Sequence, residues 1–169
     1  MIPLKSISKY VAQTANIIGG VLGLDVLIVD SELLILGDSD LESISENTCI
    51  EKSSILAEVM THKKVLVLNS KFDHYGCINC DKLNTCPVTG IIGIPLFHNN
   101  EVIGSVGIIA NSIEDKENMI SNLDKYMKFI DRTSELIFNR LEKEAEINEI
   151  SIVNKKIEVV LDSINDFLV

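Results

Sequence analysis

Residues 90–110, GIIGIPLFHNNEVIGSVGIIA, set the narrowest limits on the fold. Two apolar runs, Gly90–Phe97 and Glu101–Ala110, flank the turn residues His98, Asn99 and Asn100, which predicts a β-hairpin. In the second run Val102, Gly104, Val106 and Ile108 alternate with Ile103, Ser105, Gly107 and Ile109, so both faces of the strand are apolar. Such a strand must be covered on both sides, which places it centrally in a sheet with a layer on each face.

Ahead of this hairpin, Ile7, Val11, Ala15 and Ile18 mark one face of a helix that Gly19, Gly20 and Gly23 bring to an end. The runs Asp25–Val29 and Leu33–Leu36, separated by Asp30, Ser31 and Glu32, predict another hairpin. A polar stretch from Gly37 to Thr48 follows. Glu51–Lys63 then returns to helical spacing, and Val65–Leu68 reads as a short buried strand. After residue 113 the pattern changes: Glu114–Glu149 contains no glycine or proline. Ile120, Leu123, Met127, Ile130, Ser134, Ile137 and Leu141 alternate there by threes and fours, as in a heptad seam. Tyr126, Phe129, Thr133 and Leu136 widen that stripe, enough for a helix that packs on its own sheet and also meets a partner helix. The order predicts an α+β fold, with a mainly antiparallel central sheet, helices on its faces and a long C-terminal helix.

Composition narrows the function classes. Of 169 residues, 46% are apolar and 24% charged, the balance of a globular domain with a core rather than a disordered chain. No apolar run approaches the ~20 residues of a membrane span, and the start MIPLKSISKYVAQ lacks the pattern of a secretory signal. A cytoplasmic location is expected. With 15 basic and 25 acidic residues the net charge is −10, which repels phosphates and argues against direct nucleic-acid contact.

The strongest chemical signal is Cys77-x2-Cys80-x5-Cys86, inside the irregular stretch 69–90. A loop of that length in a small domain calls for a function or a staple. Two cysteines three positions apart can aim both sulfurs at one ion from a tight turn, and a third can close the site from the far arm. Thiolates select zinc or an iron–sulfur cluster, either of which normally takes four ligands. Cys49 and His74 are the candidates for the fourth. A redox-active pair without metal, or three reduced loop cysteines with no cofactor at all, fits the same spacing.

Catalytic signals are absent. No G-x-S-x-G, P-loop or dinucleotide fingerprint occurs, and Gly104 and Gly107 lie within a strand, where glycine permits close packing. His62 is expected at a helix end and His98 in a solvated turn. No catalytic residue is assigned, and the chain is not expected to be an enzyme.

The hairpin 90–110, with its P-L step, polar turn and V-I-G-x-x-G strand, resembles the central hairpin of GAF domains. The element order from residue 7 to about 140 resembles that fold as well. With the Cys77–Cys86 loop just before it, the chain is similar to GAF-type sensory regions at the N-terminus of bacterial, especially clostridial, sigma-54-dependent transcriptional regulators. Those sequences often carry a further cysteine immediately before the strand proline. Ile94 stands there in this chain, ahead of Pro95, which leaves Cys49 as the candidate fourth ligand.

The resemblance implies a sensory core over 1–113, a signalling and dimerisation helix over 114–149, and over 150–169 a linker and the opening of a PAS-like domain, VVLDSINDFLV. It implies input from a small-molecule effector, at a pocket between sheet and loop, or from redox state at the cysteine loop. It also implies a homodimer through the helix, and downstream PAS, ATPase and DNA-binding domains in the same chain. The rival readings are a structural dimerisation module with a zinc-stapled or metal-free loop, and a thiol-dependent GAF enzyme of the methionine sulfoxide reductase type.

Overall fold

The computed structural model describes residues 3–40 and 48–168. A 3-10 turn, Leu4–Ile7, leads into α1 (Ser8–Leu22), which Gly23 ends in the left-handed conformation. The strands are β1 (Asp25–Asp30), β2 (Ile35–Asp38), β3 (Leu66–Leu68), β4 (Gly90–His98) and β5 (Glu101–Ala110). Helix α2 (Ile55–His62) lies between β2 and β3, and the single turn α3 (Tyr75–Ile78) lies in the loop between β3 and β4. Helices α4 (Ile113–Ser121) and α5 (Leu123–Leu168) complete the chain. All pairings are antiparallel, in the order β2-β1-β5-β4-β3. The α+β architecture and the central placement of the 90–110 hairpin are those expected.

Side-chain alternation divides the sheet between two cores. Val26 and Ile28 of β1, Ile92, Ile94 and Leu96 of β4, and Val106 and Ile108 of β5 face the layer of α1, α4 and α5. On the other face Val29, Leu68 and Ile91 meet Ile55, Leu56 and Val59 of α2. Gly93 and Gly107 are cross-strand partners beneath α2. A Cβ at Gly93 would lie 2.5 Å from Val59 Cγ2, and one at Gly107 would lie 3.2 Å from Leu56 Cδ2. The bare backbone there lets α2 sit directly on the sheet, and Ser105 Oγ fastens it by donating to the Leu56 carbonyl at 3.2 Å. Leu56 and Val59 therefore fill the sheet face directly beneath α2.

Several local features differ from the sequence expectations. Helix α2 starts at Ile55 rather than Glu51 because Ser54 caps it, its Oγ accepting from Ala57 N. The β4–β5 turn is Asn99–Asn100 alone, both with positive φ, as two-residue hairpin turns require. His98 is thus a strand residue and not a solvated one: its ring stacks on Phe138 and Nε2 lies 4.0 Å from Glu142 Oε1.

The C-terminal helix breaks at Asn122, whose side chain donates back to the Asn118 carbonyl and competes with the backbone ladder. It then runs unbroken to Leu168, so no loop marks the boundary expected at residue 150. Residues 159–168 of the PAS-like segment are helical, and Val169 lies outside the described residues. The heptad stripe of α5 is used internally. Tyr126, Ile130, Ser134, Ile137 and Leu141 are buried against α1, the first turn and β4.

Candidate functional site: the cysteine loop

The loop is a chain of tight turns, which its polar sequence and small residues allow. Ser70 caps the turn Lys71–Asp73 by accepting from Phe72 N, and the His74 carbonyl accepts from Cys77 N and Ile78 N to form α3. Asn79 closes that turn on Tyr75, with backbone N and side-chain Nδ2 both donating to the Tyr75 carbonyl. Cys80 N donates to the Cys77 carbonyl, Leu83 N to that of Cys80, and Cys86 N to that of Lys82. Lys71 ties the arms together, its Nζ donating to the carbonyls of Leu83 and Cys86 at 2.8 Å each.

Cys77, Cys80 and Cys86 are each half-buried, and the three thiols are free. Cys77 also packs against the core under α2. Burial pushes the Cys77 thiol above its ordinary 9.0, the neighbouring Cys86 and Cys80 push it further, and the Lys71 ammonium partly offsets them. Cys77 therefore remains a protonated thiol at neutral pH. The pH profile of its alkylation is expected to lie above that of an unperturbed thiol. Because its folded pKa exceeds its unfolded one, its contribution to stability is complete below about pH 9 and fades as pH climbs through the folded value. A profile centred on 9.0 or lower would contradict this crowding.

The other two candidate ligands are placed elsewhere. Cys49 is exposed and forms an isolated bridge with Leu34 beside β2, at the edge of the sheet opposite β3. His74 is buried and committed to α2, its Nε2 lying 2.8 Å from Glu58 Oε2. Its Nδ1 is buried without a partner among the described residues. The Glu58 carboxylate also reaches His62 Nδ1, at 3.6 Å. The donor chemistry suits a soft metal, yet among the described residues no three Cys, His, Asp or Glu side chains converge to hold an ion.

Two residues in this arrangement carried no sequence signal of their own. Glu58 lies 16 residues before His74 on another element. Lys71 stands at the mouth of the loop, six residues before Cys77, and only the folded chain brings it onto the cysteine arms. The loop is docked closely: a Cβ at Gly76 would overlap the Ser53 carbonyl just ahead of α2. A cavity of about 260 Å³, lined by Ser53, Glu58, His62, His74 and Tyr75 among others, lies along this junction.

A five-stranded antiparallel sheet with α2 on one face, α1, α4 and α5 on the other and a long exit helix is the fold of a GAF domain. The GAF domain of A. aeolicus nlh2 in an inactive state superposes with a TM-score of 0.60 at 16% identity, over 79% of this chain and 85% of that one. The type II free methionine-R-sulfoxide reductase of Thermoplasma acidophilum superposes with a TM-score of 0.53 at 11% identity, over 82% and 96% of the two chains. In sequence, the chain is 25% identical over 140 residues to the sigma-54-dependent transcriptional regulator UacR of Escherichia coli (strain K12). That match takes in 82% of this chain and 24% of the regulator, so the chain spans about a quarter of its relative's length. No family model matches. No helix among the described residues is long and apolar enough to cross a membrane.

Proposed function

We propose that this chain is the sensory input domain of a sigma-54-dependent transcriptional regulator and that the cysteine loop receives the signal. The observation that carries this reading is the position of Cys77, crowded by Cys80 and Cys86 while seated on the core beneath α2. Oxidation by a peroxide would join Cys77 to one of its two neighbours. The S–S bond forms, the O–O bond breaks, and the two thiol protons leave in water and the alcohol product (water again for hydrogen peroxide). Cys77, held as a thiol, is a poor nucleophile toward the peroxide, and it must give up its proton to attack the sulfenic acid formed on its neighbour.

The new bond would pull on α3. Gly76 and His74 couple that turn to Ser53 and Glu58, and thus to α2. Helix α5 would carry the change onward in a homodimer to the downstream domains of the regulator. The domain acts here as a switch and not as an enzyme.

The test is anaerobic purification, iron, zinc and acid-labile sulfide analysis, and free-thiol counts before and after peroxide. Two thiols lost on oxidation, recovered with dithiothreitol and protected in Cys77→Ser, are the expected result. Iron and sulfide near stoichiometry, bleaching in air, would instead mean that the loop closes on a cluster through Cys77, Cys80 and Cys86. Zinc that is unaffected by air would make the loop a structural staple. Turnover of free methionine sulfoxide with a thiol reductant would overturn the non-enzymatic reading.

A further inference from the structure

The cysteine loop carries three half-buried thiols, and the turns that hold them are not equivalent. Cys77 and Cys80 belong to one turn, in which Cys80 N donates to the Cys77 carbonyl at 3.1 Å. Side chains three residues apart on a helical turn hold their Cβ atoms roughly 5–6 Å apart, whereas a disulfide needs about 3.5–4.5 Å. Joining these two sulfurs would therefore distort the turn. Cys86 reaches the site from the other arm. After Cys80 the chain turns twice in succession, Leu83 N donating to the Cys80 carbonyl and Cys86 N to that of Lys82. The Lys71 ammonium, from the turn ahead of α3, then donates to the Leu83 and Cys86 carbonyls at 2.8 Å each, which holds this arm beside the start of the loop.

A second observation agrees with the clamp. Of its two neighbours, Cys86 raises the Cys77 thiol more than Cys80 does, as the nearer sulfur would. We infer that Cys77 and Cys86 are the disulfide pair of this loop, that Cys80 stays a free thiol, and that Lys71 positions Cys86 for the bond. In the peroxide reaction Cys86 is then the sulfur that gains an S–O bond as the O–O bond breaks. That oxygen leaves as water, taking the Cys77 proton, when the Cys77 sulfur closes the S–S bond. The choice of pair decides what oxidation can move. A Cys77–Cys80 bond would stay within one turn, whereas a Cys77–Cys86 bond staples α3 to the arm that Lys71 holds, and so pulls α3 against its seat on α2. The inference deepens the sensory reading, on which it rests for its purpose, by naming the two sulfurs.

Diamide tests the pairing whatever the natural oxidant is, because its N=N bond takes up the protons and electrons that a dithiol gives up. Trypsin cuts after Lys71 and Lys82, which puts Cys77 and Cys80 in residues 72–82 and Cys86 in residues 83–116. Non-reducing mass spectrometry of the diamide-treated native chain is expected to find these peptides joined, with Cys80 alkylated by iodoacetamide. Cys80→Ser should keep the joined peptides, and Cys86→Ser should abolish them. Lys71→Met should lower the ratio of Cys77–Cys86 to Cys77–Cys80 bonds about tenfold, since two charge-assisted hydrogen bonds are lost, and should leave the thermal transition of the domain unchanged. A main product bonded within 72–82, or from Cys80 to Cys86, overturns the inference, as does a ratio that Lys71→Met leaves unchanged. Peroxide on a parallel sample tests the sensory reading separately. Thiols that survive peroxide but not diamide overturn that reading and leave the pair standing, while a Cys77–Cys80 bond under both oxidants overturns the pair and leaves the reading.

Discussion

Replacing Ile137 with alanine is expected to destabilise the domain by ~2–5 kcal/mol, whereas Leu136→Ala should cost less than ~0.5 kcal/mol. The two side chains are neighbours on α5, with 1% of Ile137 and 56% of Leu136 exposed. Removing the Ile137 branches leaves a cavity among Ile130, Leu141 and their partners on α1 and the first turn, and the surrounding helices can close it only in part. Leu136 has no such surroundings to lose. Domains of this size hold about 5–15 kcal/mol in total, so Ile137→Ala should shift the urea midpoint by a large fraction while the slope of the transition stays constant. Equal effects at the two positions would mean that α5 is rotated from the orientation described, in which Ile130, Ile137 and Leu141 face the core.

What the residues revealed in advance depended on the range over which each structural decision is made. The 90–110 hairpin was legible because its pattern is local: period-2 alternation on both faces around two asparagines that tolerate positive φ. The antiparallel architecture followed from grouping such runs. The exact start of α2 rested on one serine hydroxyl, and the break at Asn122 on one side-chain amide, in a stretch whose average composition favours an unbroken helix. Heptad spacing showed that α5 has an apolar stripe but not whether the stripe meets its own core or another chain, since both partners demand the same spacing. The cysteine spacing located the loop correctly. The docking of His74 on Glu58, the Lys71 clamp and the bridge that carries Cys49 to the β2 edge all depend on pairing between distant segments, which no local pattern encodes.

Gly76→Ala is expected to free the cysteine loop from α2 without unfolding the domain. The added methyl would overlap the Ser53 carbonyl, which is backbone and has no rotamer to yield, so α3 must lift from the segment that precedes α2. Lifting α3 breaks the His74–Glu58 contact and exposes Cys77, whose burial is the largest cause of its raised pKa. Native-state alkylation of Cys77 at constant pH should therefore accelerate about tenfold or more, the factor that corresponds to ~1.4 kcal/mol of lost docking. Its pH profile should move back toward 9.0. Phe72, Tyr75 and Ile78 are exposed and add little to the core, so the thermal midpoint should change far less than in Ile137→Ala. Glu58→Gln, which weakens the same junction from the α2 side, should accelerate alkylation in the wild type but add little in Gly76→Ala, since neighbouring groups in one contact do not act additively. An unchanged Cys77 rate in Gly76→Ala would show that the loop is held by Lys71 alone, and the route from the thiols to α2 would be lost.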